Sequence, residues 1–188
     1  METHTRPAAR PLKAICRLVA SLIVAGTPLM AQEAGWSKYN YGVQAGMLMP
    51  MGDFTTFAST GFGLGGYMEK VWSNSWALRG RLEYAQFGEK SYGSLGVKIE
   101  QTGLMSDVIY YMNHKDTIYP FAGIGYYYRS ESISYKDSWG YDSSLDAGEP
   151  AIAFCVGAGW NFTPHLGAEV KYTITRYGWL QLSVLYRF

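Results

Sequence analysis

The sequence predicts an all-β fold: an eight-stranded antiparallel up-and-down transmembrane β-barrel, preceded by a signal peptide. From Trp36 onward apolar side chains recur at every second position, the period of a β-strand. Aromatic residues make up 16% of the chain, and charged residues also only 16%, below the roughly 25% expected of a soluble protein. The body of the chain has no run of about 20 uncharged apolar residues, which argues against a helical membrane protein.

A signal peptide is predicted over residues 1–31, with an outer-membrane β-barrel domain over residues 32–188. Basic residues precede the uncharged segment "LVASLIVAGTP", namely Arg6, Arg10, Lys13 and Arg17. A basic region, a short apolar segment and a small residue at the cleavage site, here Ala31, are typical of secretory leaders. The alternative is an N-terminal membrane anchor, although the apolar segment is short for a membrane span.

Removal of residues 1–31 would leave a slightly acidic chain with one cysteine. It takes away four of the 16 basic and one of the 15 acidic residues, so the net charge becomes −2. This charge gives no electrostatic indication of nucleic-acid binding. Cys155 then remains as the single cysteine, so the mature chain cannot form an intrachain disulfide.

Three alternating segments open the predicted barrel: Lys38–Pro50, Gly61–Lys70 and Trp76–Phe87. In the first, tyrosine, valine and methionine side chains share one face, and in the second glycines oppose the apolar row. The third has the clearest pattern, because its charged residues alternate with large apolar ones. The charged face carries Arg79, Arg81 and Glu83, and the apolar face carries Trp76, Leu78, Leu82 and Tyr84.

Three further segments repeat the pattern: Thr102–Met112, Tyr119–Glu131 and Ala151–Phe162. The start of the fourth strand stays open, because the preceding "VKIEQ" alternates only weakly. Asp107 in the fourth strand and Arg129 in the fifth lie opposite the apolar rows. The polar stretch between the fifth and sixth strands, residues 130–150, is predicted to be a long surface loop.

Leu166–Thr175 and Gln181–Phe188 complete the eight strands. In the seventh, Glu169 and Lys171 oppose a row of apolar residues. In the eighth, the apolar row runs to the last residue, and it comprises Leu182, Val184, Tyr186 and Phe188. This pattern predicts that a lipid-facing residue ends the chain.

The size of the apolar rows decides which face meets lipid. A soluble lipocalin-like barrel would enclose them, whereas a membrane barrel turns them outward. The rows are continuous over about 9–11 residues, the length of a tilted membrane strand, and their side chains are too large to fit inside eight strands. We therefore predict a polar interior network of Arg79, Arg81, Glu83, Asp107, Arg129, Glu169, Lys171 and Arg187.

Aromatic residues near the short-turn ends of the strands predict a girdle at one membrane–water interface. They are Trp36, Tyr39, Trp72, Trp76, Tyr110, Tyr111, Tyr119, Trp160, Phe162, Tyr186 and Phe188.

The alternating apolar residues that end in Phe188 resemble the C-terminal assembly signal of bacterial outer-membrane barrels. With "GDF", "GFGLGGYMEK" and "RGRLEYAQFG", residues 36–188 look like the small eight-stranded outer-membrane barrel family that includes the OmpA transmembrane domain and OmpX. The resemblance implies insertion in the bacterial outer membrane and recognition of the last strand by the barrel-assembly machinery. Because Phe188 closes the last predicted strand, we expect no peptidoglycan-binding domain after it.

Motifs that suggest a cofactor or catalysis have simpler explanations in a barrel. "GFGLGG" matches a dinucleotide-binding fingerprint, but no helix follows it, so interior-facing glycines explain it better. His114 and His165 fall in predicted short turns, away from the long-loop end where a lipid-modifying or proteolytic barrel would need a base. Cys155 is interpreted as a small packing residue. No cofactor and no metal are predicted.

Two charged regions of the sequence each allow two interpretations. The interior charges predict a salt-bridged plug, because eight strands leave no open lumen, and the alternative is a proton or ion path. The stretch 130–150 carries five acidic residues against Lys136, and it is interpreted as a solvated surface loop. The alternative is contact with a surface partner or a divalent cation, although the acidic spacing does not match an EF-hand. The acidic residues are Glu131, Asp137, Asp142, Asp146 and Glu149.

These features predict a non-enzymatic outer-membrane barrel with a structural or surface-interaction role: envelope integrity, adhesion or binding through its loops. One alternative is a small pore or carrier for solutes. A second is a lipid-modifying outer-membrane enzyme.

Deletion of Phe188 is expected to lower assembly in the outer membrane, because it removes the last residue of the predicted assembly signal. The measurement is the amount of folded, heat-modifiable protein in outer-membrane fractions. Unchanged levels would contradict the prediction.

Overall fold

The computed structural model describes residues 39–72, 75–92, 95–112, 118–136 and 142–188. Within these ranges the chain forms nine β-strands and one short helix, α1 (Phe54–Phe57). No helix in the described ranges is long and apolar enough to cross a membrane. The strands are β1 (Tyr39–Met51), β2 (Ser59–Val71), β3 (Trp76–Gly88), β4 (Lys90–Tyr92), β5 (Leu95–Tyr110), β6 (Ile118–Lys136), β7 (Asp142–Asn161), β8 (Leu166–Ile174) and β9 (Gly178–Arg187).

Eight of these described strands form the wall of a closed antiparallel barrel. Around the wall the order is β1, β2, β3, β5, β6, β7, β8 and β9, and β9 pairs with β1 to close the ring. The three-residue β4 pairs with the tip of β5. A closed wall leaves no unpaired strand edge for lipid, which cannot supply hydrogen bonds. The predicted eight-stranded antiparallel barrel is confirmed.

Side chains alternate across the wall as the sequence predicts. On β8, Val170 is 40% exposed on the outer surface, whereas the adjacent Glu169 and Lys171 are 4% and 2% exposed. On β9 and the residue that follows it, the apolar row points outward to the end of the chain, and it comprises Leu182, Val184, Tyr186 and Phe188. The outer surface is therefore apolar, and the polar parity lines the interior.

The barrel has two different ends, called here the turn end and the loop end. The turn end carries Trp72, Ser75, the turn at residues 162–165 and the C-terminal Phe188. The loop end carries α1, the last residues of β6, the first residues of β7 and the tight turn at residues 175–177. Gly52, with φ of +58°, lies between β1 and α1, in a conformation that glycine adopts without steric cost.

The long loop predicted for residues 130–150 is wrong over most of its length. β6 continues to Lys136 and β7 begins at Asp142, so residues 130–136 and 142–150 are paired strands that run past the end of β8. The weak "VKIEQ" pattern likewise belongs to β5, which starts at Leu95. Alternation of apolar and polar residues reports lipid on one face, so it is a weak signal for parts of a strand that lie outside the bilayer although the backbone ladder continues.

The aromatic girdle forms at the turn end with two corrections. The residues that face outward are Tyr39, Trp72, Trp76, Tyr110, Trp160, Phe162, Tyr186 and Phe188. Tyr111 and Tyr119 instead point into the barrel and are 1% and 0% exposed. Their hydroxyl groups bind interior carboxylates, which compensates for burial of a polar atom. Trp36 lies outside the described residues.

An arginine at Val170 is expected to destabilise the folded barrel by roughly 2–4 kcal/mol, because it places a charge on the middle of a lipid-facing strand. The measurement is equilibrium unfolding in urea with the protein in lipid vesicles. The control is Val170→Leu, which keeps an apolar side chain and should change stability little. An arginine tolerated as well as leucine would mean that this position does not face lipid.

Candidate functional site

Three inward positions of β3 carry the charges around which the interior is arranged. Arg79, Arg81 and Glu83 lie two residues apart, so their side chains follow one another along the barrel at intervals of about 7 Å. Each is less than 5% exposed. Because β8 is the fourth strand from β3 in either direction around the wall, it faces β3 directly across the interior.

Glu169 of β8 bridges the two arginines across the barrel. Its Oε2 lies 2.7 Å from Nη1 of Arg81, and its Oε1 accepts a hydrogen bond from Nη1 of Arg79. Arg79 also donates to Oε2 of Glu69 on the adjacent β2, with Nη2 at 2.7 Å. Arg81 donates to Asp107 on β5. Each arginine is thus held by one carboxylate from a neighbouring strand and one from the opposite strand.

A second bridge crosses the barrel with the opposite polarity. The ammonium group of Lys171 on β8 contacts Oε1 of Glu83 on β3. Nε2 of Gln44 on β1 donates to the same oxygen at 2.5 Å, and the hydroxyl of Tyr127 donates to Oε2. Along the barrel, β3 therefore supplies two arginines and then a glutamate. β8 supplies the opposite charge in each case, since Glu169 faces the arginines and Lys171 faces Glu83.

Every carboxylate of this described network also receives a hydrogen bond from a neutral donor. The donors lie around the β5–β7 side of the barrel. They are Tyr111 to Glu69 at 2.7 Å, Tyr119 to Glu169 at 2.8 Å, Tyr127 to Glu83, and the thiol of Cys155 to Asp107 at 3.1 Å. A carboxylate buried this way keeps both a countercharge and a polar partner, which offsets the loss of its hydration.

The described network is electrically balanced. Its cations are Arg79, Arg81, Lys171 and Arg187, and its anions are Glu69, Glu83, Asp107 and Glu169. Arg187 joins at the turn end, where its Nη2 lies 3.8 Å from Oε1 of Glu69. Four charges of each sign leave no excess charge to attract an ion of one sign.

Of the predicted interior residues, Arg129 lies apart from this network. It is closer to the loop end, where it pairs with Glu131 and lies 4.0 Å from Glu149. Glu69 and Gln44 were not among the predicted residues, although both join the network. Only their position in the alternating pattern of a strand could have indicated this. Glu69, for example, falls on the same inward face of β2 as Gly63. Tyr111 and Tyr119 were predicted to lie on the outer face.

Glycines on the wall make room for large inward rings. A Cβ at Gly103 would lie 2.4 Å from the ring of Tyr127, and one at Gly159 would lie 2.1 Å from the ring of Tyr119. The "GFGLGG" segment lies entirely within β2 and no helix follows it. The glycines of this segment are therefore part of the barrel wall, and the segment lacks the strand–turn–helix arrangement of a dinucleotide site.

An aromatic cluster closes the interior at the loop end. The ring of Phe54 in α1 stacks on Tyr177 at 5.2 Å and meets Phe87 edge-on at 4.7 Å. Trp179 of β9 is fully buried, with its ring 5.8 Å from Phe87 and 5.5 Å from Tyr127. Beside the cluster, a cavity of about 20 Å³ has room for about one water molecule.

The C-terminus is fastened to both neighbouring segments at the turn end. The backbone N–H of Phe188 donates to the carbonyl of Tyr41 at 2.9 Å, and that of Arg187 donates to the carbonyl of His165 at 2.7 Å. Nδ1 of His165 lies 3.0 Å from the carbonyl oxygen of Arg187. His165 is thus engaged at the turn end, and His114 lies outside the described residues.

Within the described ranges, no group of three or more histidine, cysteine, aspartate or glutamate residues is placed to hold a metal ion. Of the acidic residues considered for a cation or partner, Glu131 and Glu149 lie beside Arg129. Asp137 lies outside the described residues.

A closed eight-stranded barrel with an apolar outer surface and a charged interior defines a small transmembrane β-barrel protein. The model of the outer membrane protein beta-barrel domain family matches residues 18–188, and the chain belongs to this family. It is therefore a protein of the bacterial outer membrane, inserted in the lipid bilayer. Among curated proteins, no sequence matches the chain.

Solved structures of other outer-membrane barrels share the fold. Ail of Yersinia pestis, solved in complex with the heparin analogue sucrose octasulfate, aligns with a TM-score of 0.56 at 14% identity over 81% of this chain and 97% of its own. The N-terminal barrel domain of Pseudomonas aeruginosa OprF gives 0.53 at 16% identity over 81% and 100%. Neisserial surface protein A gives 0.50 at 17% identity over 82% and 100%.

Glu169→Gln is expected to lower the free energy of unfolding by about 3–5 kcal/mol, because it leaves Arg79 and Arg81 without the charge that joins them. The control is Glu100→Gln, which removes one partner of the partly exposed pair with Lys98 at 2.7 Å. That change should cost less than about 1 kcal/mol. Urea unfolding in lipid vesicles measures both, and equal small losses would contradict the bridging role of Glu169.

Proposed function

We propose that the protein is a closed, non-enzymatic outer-membrane barrel whose role is structural or interactive, acting through the part that extends beyond the loop end. The observation that carries this proposal is the filled interior. Two cross-barrel bridges, formed by Glu169 and Lys171, and the aromatic cluster around Trp179 occupy the space that a pore would need. The interior of a small eight-stranded membrane barrel is just wide enough for side chains to fill it.

The extension beyond the loop end supports a surface role. β6 and β7 have 19 and 20 residues, whereas β8 and β9 have 9 and 10. A membrane strand needs only about 9–11 residues, so β6 and β7 are about twice as long as the bilayer requires. We place this extension at the cell surface, where adhesion or loop-mediated binding would occur.

Export and assembly of the protein are part of the same proposal. Residues 1–31 act as a signal peptide, and the barrel-assembly machinery recognises the outward row that ends in Phe188. The fastening of Phe188 to Tyr41 supports the second part, because it makes the last residue part of the seam between β9 and β1.

A small pore is the second candidate, favoured by the charged character of the interior. Its path would have to pass the bridges at Glu169 and Lys171 and the ring of Trp179. A lipid-modifying enzyme has less support, since the described histidine, His165, is engaged with the C-terminus at the turn end.

The deciding experiment is conductance of residues 32–188 refolded into a planar bilayer. We expect a silent bilayer, with folding verified by heat-modifiable gel mobility and with a sixteen-stranded porin as the positive control for detection. Steady, reproducible single-channel steps from the folded protein would overturn the closed barrel and favour the pore.

A further inference from the structure

The outer face of the barrel wall carries a lysine near the turn end, among apolar and aromatic side chains. Lys70 lies one residue before the end of β2 and its side chain is exposed, whereas the adjacent Glu69 is buried in the interior network. Met68 and Trp72, two residues away on either side, share the outer face with it. A cation on a lipid-facing row is unfavourable unless it reaches the headgroup level or an opposite charge.

The surroundings of Lys70 supply an aromatic ring, and the ion pairs among the described residues do not include this lysine. Its Nζ lies 5.4 Å from the centre of the ring of Tyr39, the residue that pairs with it on β1. Lys98 of β5 differs, because its Nζ lies 2.7 Å from Oε1 of Glu100. An anionic group at the membrane surface would give Lys70 an opposite charge.

Two glycines leave gaps in the outer wall beside Lys70. Across β2 and β3 the outward residues pair as Gly66 with Leu82, Met68 with Gly80, and Lys70 with Leu78. We call these six residues the outer patch. Each glycine lies opposite a larger side chain and next to larger side chains on its own strand, so it leaves a notch in the apolar surface.

Packing within the protein does not account for these two glycines. A Cβ at Gly80 would meet no atom within 4 Å, and one at Gly66 would meet only the carbonyl oxygen of Gly42, at 3.8 Å. Glycine weakens a strand, and inside one it often marks the close approach of a ligand. An acyl chain that lies along the outer patch would fill both notches.

The position of the outer patch indicates which lipid it meets. Short turns of outer-membrane barrels face the periplasm, so the turn end lies in the leaflet that consists of phospholipids. Their phosphates lie at the level of the aromatic girdle, as Lys70 does, and their acyl chains run from there toward the middle of the barrel wall. A second copy of the chain on the same patch would bring two lysines together, which is unfavourable.

We propose that the outer patch binds an anionic phospholipid of the periplasmic leaflet. Lys70, beside Tyr39, holds the phosphate, and the notches at Gly80 and Gly66 receive the acyl chains. The site lies on the lipid face of the wall, so it is separate from the role proposed for the loop end.

The test uses native mass spectrometry to count the lipids that the folded protein, purified from outer membranes, retains. The micelles contain equal amounts of phosphatidylglycerol and phosphatidylcholine with the same acyl chains. We expect retention of phosphatidylglycerol about fivefold over phosphatidylcholine, the preference that one lysine near an anionic headgroup provides. Lys70→Gln should remove the preference, and Lys70→Arg should keep it.

Three controls separate this site from general charge attraction. Lys98→Gln also removes a lysine, but one already paired with Glu100, so the preference should stay. Gly80→Leu fills a notch and should lower retention of phosphatidylglycerol about fourfold, the loss expected for one methylene group that is no longer buried. Soluble glycerol phosphate lacks acyl chains and should not displace the lipid. Heat-modifiable gel mobility verifies that each variant is folded.

Equal retention of both lipids by the parent protein, or a preference that Lys70→Gln leaves unchanged, would overturn the headgroup contact. Retention unchanged by Gly80→Leu, or displacement by glycerol phosphate, would overturn the acyl-chain contact. A lipid-free dimer in place of the lipid complex would show that a second copy covers the outer patch, and it would also overturn the proposal. None of these results depends on the bilayer conductance, so a failure here leaves the closed barrel standing.

Discussion

The whole structure depends on one constraint: inside a lipid bilayer each backbone N–H and C=O needs a partner within the protein. β1 and β9 meet that need when they pair and close the wall. Closure then assigns every side chain to one of two environments, because successive residues of a strand face opposite sides. The outer row must be apolar, and the inner row must fill a narrow space without water. The composition of the chain and the character of its interior both follow from this division.

The interior satisfies its part of the constraint by pairing across the diameter of the barrel. β3 and β8 oppose one another with Arg79 and Arg81 against Glu169 at one level, and Glu83 against Lys171 at the next. Such pairs need not add net stability, because desolvation offsets their attraction. Their reversed polarity has a second consequence. A shift of β8 by two residues would bring like charges together, so the pairs specify the register of the closed wall.

The strands of the barrel wall could be predicted from the sequence, but the arrangement of the side chains inside the barrel could be predicted only in part. Period-two alternation on β3 and β8 reports lipid on one side, and this signal predicted strands, faces and most of the charged residues. It failed at Tyr111 and Tyr119, because an aromatic ring with a polar atom suits either the interface or a polar interior, and only the three-dimensional partners decide. It also failed for residues 130–136 and 142–150, which continue β6 and β7 although their sequence lacks the alternation of a strand with lipid on one face.

The same constraint explains why the barrel can differ so much at its two ends. At the turn end, the last residues remain tied to Tyr41 and His165, so the seam is closed to the final residue. Beyond the loop end, water can satisfy backbone groups, and an unpaired edge costs far less than it would in lipid. Phe154 is the last residue of β7 that pairs with β8. Between Phe154 and Gly148, β7 therefore passes from the part of the sheet that is paired on both sides to the part that is paired with β6 alone. Pro150 lies within this stretch and has no N–H that would need a partner on the side where β8 has ended. Beyond Phe154 the strand β7 is therefore paired with β6 alone, an arrangement that is far less costly in water than in lipid.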